Sequence, residues 1–353
     1  MSFDAAFDPN AASPLDSGIF GLSDSPEDAG VVLIPVPWDV TTSYRAGTSD
    51  GPQAILEASR QVDLFDIETG RPYLTKIAML EESSEIRLWN RSARVDAEAV
   101  IAAGGRISGD PVLEEKLARV NAVSAQLNEV VYETARKWIG EKKIVGLVGG
   151  DHSAPYGSIR AHADAYPGLG ILHIDAHADL RHAYEGFSYS HASIMECVTR
   201  EIPGVSRLVQ VGIRDLCEEE YDRIAASGGK IRTFYDVDLA SSRRRGLLDE
   251  QFARIVDELP REIYVSFDID GLDPVLCPNT GTPVPGGLSF HEASALLRAV
   301  ASAKKRIVGF DLNEIAPAPD SKDEWDGNVG ARVLYKLIGW TLRSQGIGAT
   351  PAR

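Results

Sequence analysis

The feature that most constrains this chain is a repeated alternation. Short, nearly continuous apolar runs rich in Val and Ile are separated by longer amphipathic stretches. The runs fall at 31–36, 144–148, 170–174, 207–213, 231–234, 263–267 and 307–312. A strand covered on both faces has no solvent side to alternate toward, so such runs read as buried parallel strands. The stretches between them, at 52–64, 112–142, 155–165, 218–227, 249–259, 289–303 and 328–344, carry apolar residues at helical spacing. Gly51-Pro52 is a suitable helix start, and Ser289 with Glu292 makes a capping box. Strand and helix in alternation predict one doubly covered parallel sheet, an α/β fold.

The ends of these runs carry the chemistry. Gly149-Gly150-Asp151-His152-Ser153 follows one run, and Asp175-Ala176-His177-Ala178-Asp179 follows another. Ser266-Phe267-Asp268-Ile269-Asp270 closes a third, and Asp311-Leu312-Asn313-Glu314 is a weaker fourth. Residues at the carboxyl ends of parallel strands converge on one crevice. Alternate residues of an extended segment share a face, which groups Asp175, His177 and Asp179, and likewise Asp268 and Asp270. Buried carboxylates without cations repel one another and are costly. Four carboxylates and two imidazoles therefore suit two divalent ions with shared carboxylates. Asp151 reads either as a partner of His152 or as a turn residue, and Asp273-Pro274 as structural.

Composition excludes other classes. With 36 Lys+Arg against 52 Asp+Glu, the formal net charge of -16 argues against nucleic acid and against an anionic membrane surface. The same sign suits a cationic substrate or metal ions. The three cysteines Cys197, Cys217 and Cys277 are too scattered for a disulfide framework. No signal peptide and no membrane-length apolar run is evident, so a cytoplasmic location is expected. Residues 1–30, poor in large apolar side chains, are expected to form a flexible arm. A single domain is expected over 31–344, and a flexible tail over 345–353. Residues 81–112 read as an irregular insertion with Gly104-Gly105 and Asp110-Pro111 as breakers.

The order GGDHS, DAHAD, SFDIDGLDP resembles the ureohydrolase family of arginase, agmatinase and their relatives. The early segments Ser43-Tyr44-Arg45-Ala46-Gly47 and Gly51-Pro52 extend the resemblance, which runs from Val31 to Leu342. Thr280-Gly281-Thr282-Pro283 and Pro285-Gly286-Gly287 resemble the agmatinase branch. The resemblance implies a three-layer α/β/α sandwich on an eight-stranded, mostly parallel sheet. It implies one ion held by His152, Asp175, Asp179 and Asp268, and a second held by Asp175, His177, Asp268 and Asp270. Mn2+ is the ion it implies first, with Ni2+ as the alternative. The implied reaction is hydrolysis of a guanidino C–N bond by a hydroxide bridging the two ions. Asp270 would shuttle the proton to the leaving amine, Glu314 would bind the guanidinium, and His191 would relay protons and touch substrate.

Substrate choice is left open between agmatine-like compounds, guanidinobutyrate, guanidine, alkylguanidines and biguanides. The Asn and Ser that arginases use to hold an amino-acid head are absent between Asp179 and His191. Arg181 resembles a position in formiminoglutamate hydrolases, so formimino hydrolysis is the alternative reaction. A non-catalytic partner subunit of the same fold is a further alternative. Arg181 and Trp325 are candidate substrate contacts, and Tyr184, Phe187 and Tyr189 candidate walls of an apolar pocket. The family resemblance also implies a homo-oligomer, a trimer or hexamer.

Overall fold

The structure is a computed structural model that describes residues 7–320 and 322–348. In chain order its elements are β1 (Val31–Val36), α1 (Gly51–Ser59), β2 (Ile77–Met79), α2 (Ser84–Ala102), α3 (Pro111–Gly140), β3 (Ile144–Gly149), α4 (Tyr156–Ala165) and β4 (Leu169–Ile174). There follow α5 (Ile194–Glu201), β5 (Val205–Ile213), α6 (Glu218–Ala226), β6 (Ile231–Tyr235), α7 (Asp236–Arg244) and α8 (Leu248–Asp257). The last elements are β7 (Glu262–Asp268), α9 (Phe290–Ser302), β8 (Arg306–Asn313) and α10 (Trp325–Ser344).

The eight strands form one parallel sheet in the order β2-β1-β3-β8-β7-β4-β5-β6. Side chains alternate between two cores, as strand geometry requires. Along β1, Val31 and Leu33 join the core that includes Ile55, Leu296 and Leu334, from α1, α9 and α10. Val32, Ile34 and Val36 join the other, with Ala97, Leu127 and Val131 from α2 and α3. The expected α/β sandwich is therefore present, its sheet parallel throughout.

The strand order places the site. β3 and β4 follow one another in the chain but are separated in the sheet by β8 and β7. From β3 onward the chain turns back only after β6, and its last two strands fill the gap, so the carboxyl ends of β3, β8, β7 and β4 lie side by side, where ligand crevices of parallel sheets form. The four segments singled out in the sequence all end on these neighbouring strands.

Three local expectations are corrected. Residues 81–112 are mostly helical, the expected breakers Gly104-Gly105 and Asp110-Pro111 falling at the turn between α2 and α3: Ser83 caps α2 by accepting from Ile86 N at 3.3 Å. The helix buries Ile86, Asn90, Ala93, Ala97 and Val100, an apolar stripe diluted by small and polar side chains. The segment expected to be an arm is packed from residue 19 onward. Ile19, Phe20 and Leu22 are buried, and the Phe20 ring lies 4.8 Å from that of Tyr335 in α10. Residues 1–6 of that segment and 349–353 of the expected tail lie outside the described residues. The three-residue β2 and the helices α5 and α7 were absent from the sequence reading, being too short for a clear period.

Candidate metal centre

Close backbone approach builds the first wall. A Cβ on Gly150 would fall 1.9 Å from the carbonyl oxygen of Trp38, so the turn after β3 admits only glycine there. That turn delivers Asp151 and His152 over the sheet edge. Two other site residues adopt left-handed backbone, Asp179 at φ 53° and Glu314 at φ 65°. Such positions cost of order 1–3 kcal/mol and persist where the surroundings hold them. The carbonyl of Asp179 accepts from Met195 N at 3.0 Å and Glu196 N at 3.1 Å, at the start of α5. Glu314 N donates to Gly150 O at 2.8 Å, and Glu314 Oε1 accepts from His152 N at 2.9 Å.

The six expected ligands come together. His152 Nδ1 lies 3.0 Å from Asp175 Oδ2, 3.1 Å from Asp268 Oδ2 and 3.3 Å from Asp179 Oδ2. His177 Nδ1 lies 3.0 Å from Asp270 Oδ2 and 3.6 Å from Asp175 Oδ1. Asp175 is common to both groups. Its Oδ1 also accepts from His177 N at 2.6 Å, and Asp270 Oδ1 accepts from Ala176 N at 3.0 Å.

A row of polar residues one step down the strands fixes which nitrogen is which. His173 pairs with Ser266 across β4 and β7, and Ser266 with Asp311 across β7 and β8. Ser266 Oγ donates to Asp311 Oδ1 at 3.0 Å, so it accepts from His152 Nε2–H at 2.9 Å. His152 Nδ1 therefore faces three carboxylate oxygens and no donor, so it must carry a positive charge, a proton or a metal ion in the proton's place. That arrangement calls for a cation and fits a metal ion.

His173 resolves the other way. The Gln210 amide donates to Ala178 O at 2.7 Å and to His173 Nδ1 at 3.1 Å, while Gln210 Oε1 accepts from Thr233 Oγ1. His173 Nε2 then carries the hydrogen and donates to Asp175 Oδ2 at 2.8 Å. It is an orienting donor, although its nitrogen lies within ligand range of His152, Asp175 and Asp179. His173 and Gln210 belong to no motif in the sequence, and Ser266 only opens one, because each stands inside a strand. The only signal was a polar residue interrupting an apolar run.

Electrostatics agrees with the geometry. Burial opposes charge on His152, yet Asp175, Asp179 and Asp268 outweigh it and hold the ring well above its ordinary range. Burial and the neighbouring carboxylates push Asp179 up to about 7 and Asp268 well above the carboxylate range. Burial also lifts Asp311 to about 6. The acids are thus short of positive charge, which divalent ions would supply.

A cavity of about 170 Å³ opens onto this cluster and is lined by His152, His177, Asp179, Asp268, Glu314 and His191, with Arg181 and Tyr184 among the other residues lining it. Arg181 Cζ lies 4.9 Å from the Tyr184 ring centroid, and its Nε is 3.8 Å from Glu220 Oε2. Trp325 does not line this cavity. It begins α10, is 48% exposed, and its indole N–H donates to Val275 O at 3.1 Å. Phe187 is buried in the core beside β1, and the Tyr189 ring packs tilted against that of Tyr156, centroids 5.1 Å apart. Arg214, unremarked in the sequence, donates to the carbonyls of Asp270 at 2.7 Å and Val284 at 2.9 Å. It ties the loop bearing Asp270 to the neighbouring loop.

Residues 29–339 match the model of the Arginase family. The chain belongs to the arginase family. This arginase-family protein is 33% identical over 324 residues to the N(1)-aminopropylagmatine ureohydrolase of Thermus thermophilus, spanning 91% of this chain and 94% of that one. It is 29% identical over 315 residues to the agmatinase of Bacillus cereus, spanning 89% and 93% respectively. The solved agmatine ureohydrolase of Thermoplasma volcanium shares the fold, with TM-score 0.70, 24% identity and coverage of 92% and 93%. Within the arginase family the chain therefore falls in the agmatinase-like branch, and it is a hydrolase of the ureohydrolase type. The family depends on a binuclear metal centre, which the His/Asp cluster fits. Among the described residues, no helix is long and apolar enough to cross a membrane.

Proposed function

We propose that this protein cleaves a guanidino C–N bond of a small guanidino compound, releasing urea or a urea derivative and an amine. The observation that carries the reading is His152 Nδ1 converging with three carboxylate oxygens, a donor set for a cation. We assign one ion to His152, Asp175, Asp179 and Asp268, and the other to Asp175, His177, Asp268 and Asp270. Bound there, two divalent ions would lower the pKa of water toward neutrality and offset negative charge developing in the transition state.

The chain's own groups supply the rest. Glu314 Oε1 is held by His152 N, so Oε2, which approaches the Gly281 position, is the oxygen left for a guanidinium N–H pair. Asp270 carries a proton toward the leaving amine from Oδ2, its Oδ1 being fixed by Ala176 N. His191 lines the cavity and completes the proton path. Arg181 lies where a substrate's tail would pass, and its stacking on Tyr184 makes it the candidate for sorting tails by charge. The names of the relatives support agmatine or aminopropylagmatine as substrates to try first. A homo-oligomer and a guanidino substrate follow the same likeness.

The test is a urea assay on protein loaded separately with Mn2+ and Ni2+. Its panel holds agmatine, N(1)-aminopropylagmatine, guanidinobutyrate, guanidine, methylguanidine and a biguanide. Urea, or a urea derivative, from at least one member is expected. No product from any, with both metals bound, would overturn the proposal, and formamide release from formiminoglutamate would replace it.

A further inference from the structure

Beside the carboxylate cluster, the loop after β1 carries a chain of polar contacts that the reaction as described leaves unused. Asp151 is fully buried, and its N–H donates to Trp38 O at 2.6 Å. Its Oδ1 accepts from Ser153 N at 3.0 Å and from the Ser153 hydroxyl. Its Oδ2 accepts from Thr41 Oγ1 at 3.2 Å and Thr41 N at 3.4 Å. Thr41 Oγ1 in turn accepts from His191 N at 3.1 Å and lies 3.4 Å from His191 Nδ1. Thr41 itself is fully buried.

The donors can be counted. An ionised carboxylate only accepts, so the single hydroxyl proton of Thr41 goes to Asp151. The Thr41 oxygen is left as an acceptor, and what faces it must donate. The backbone N–H of His191 does so, and the ring follows if Nδ1 carries its hydrogen. Ser190 Oγ, also 3.4 Å from Nδ1, accepts from Ala192 N at 3.2 Å and can either donate to Nδ1 or accept from it, so Thr41, with no proton left to give, decides the tautomer. The Nδ1–H form leaves Nε2 as the free lone pair of a cavity-lining histidine, the state a proton acceptor needs. Burial pushes the His191 ring down to about 4, so it is a neutral imidazole whose tautomer matters.

The loop is braced from outside by α2. Arg94 donates to Val40 O at 3.1 Å, Thr42 O at 2.6 Å and Thr42 Oγ1 at 2.9 Å. Asn90 accepts from Asp39 N at 2.7 Å and donates to Asp39 Oδ1 at 2.9 Å. Both neighbours of Thr41 in the chain are therefore pinned by one helix.

We propose that Thr41 is a positioning residue for His191: oriented by Asp151, its hydroxyl holds the imidazole in the Nδ1–H form, while α2 holds Thr41 in place through Asn90 and Arg94. This rests on the reading of His191 as a proton carrier, and the experiment separates the two. Thr41→Val, Thr41→Ser, His191→Ala and the double variant T41V/H191A are compared as metal-loaded proteins. Urea release is followed on the panel compound that turns over fastest, with metal content measured alongside.

Thr41→Val is expected to lower kcat about 10- to 100-fold, within the range of acid–base assistance, with KM and bound metal unchanged. Thr41→Ser should restore most of the rate. Adding Thr41→Val to His191→Ala should cost nothing further, because both act through one group. Arg94→Ala should lower kcat several-fold and lose that effect in the H191A background, which keeps the test open should Thr41→Val fold poorly. An unchanged kcat in Thr41→Val, or a loss that persists in full without His191, overturns the inference. Full turnover by His191→Ala overturns the relay reading itself and the inference with it.

Discussion

His152 and His162 are both fully buried, and they behave in opposite ways. His152 follows β3 and its Nδ1 faces three carboxylate oxygens, which hold the ring well above its ordinary range. His162 is in α4, donates Nδ1–H to Ser158 O at 2.8 Å, and presents toward Gly309 and the Tyr264 ring an Nε2 with no hydrogen-bond partner among the described residues. Burial pushes it down to about 4. The lesson is that burial of an imidazole does not make a site. A site appears where the fold gathers carboxylates around a ring nitrogen, as the strand-end position does for His152.

The contrast breaks most severely if the acids are neutralised. Asp268→Asn and Asp175→Asn each remove a carboxylate assigned to both ions. Each is expected to lower bound metal and to cut turnover at least about 100-fold, read by metal analysis and urea release. Full metal and full rate in either variant would show that His152 is no more a ligand than His162. A smaller loss is expected from Ser266→Ala. His152 Nε2–H would then have Asp311 alone, at 3.9 Å, and the ring would lose its orientation. Metal affinity should fall about 10- to 100-fold, in a titration of the purified protein. Unchanged affinity would remove the Ser266–Asp311 pair from the account.

On the His162 side the expected effect moves to stability. Its pKa is about 4 in the folded protein against an ordinary 6.5, so between those values the unfolded chain binds a proton that the folded one refuses. Stability from this group is complete above pH 6.5 and declines as pH falls toward about 4, by about 3 kcal/mol in all. The comparison is with His162→Gln, by denaturant unfolding at a series of pH values. Asp151 and Asp311, raised to about 6 by burial, titrate in both chains and cancel. The two curves should converge at low pH, while turnover and metal content of His162→Gln stay at the parent level. Parallel curves would mean that His162 is protonated in the fold.

The same contrast explains what the sequence could and could not reveal. The six expected ligands were legible because each stands just beyond an apolar run, where a charge has no packing reason to be. The row beneath them was legible only in part. Ser266 and Asp311 open two of the segments, while His173 lies within a strand, where a polar residue is averaged into its apolar neighbours. Only the pairing of β4, β7 and β8 shows that they form one line. Helix α2 escaped for a related reason. Its buried stripe of Ile86, Asn90, Ala93, Ala97 and Val100 contains no Leu or Phe and one amide, and that amide is spent on Asp39.

Trp325 gives the smallest expected effect and the control for the others. An aromatic residue in a loop reads equally well as a pocket wall or as packing. Here it opens α10, half exposed, with its indole N–H committed to Val275 O. It is absent from the lining of the cavity, whereas Tyr184 is part of it. Trp325→Ala should therefore leave kcat, KM and bound metal within about twofold of the parent. Loss of the one hydrogen bond should cost about 1 kcal/mol in unfolding. Tyr184→Ala, made beside it, removes the face on which Arg181 stacks and should change KM for tailed substrates more than for guanidine. If Trp325→Ala raised KM and Tyr184→Ala did not, the mouth of the site would lie on the α10 side of the crevice.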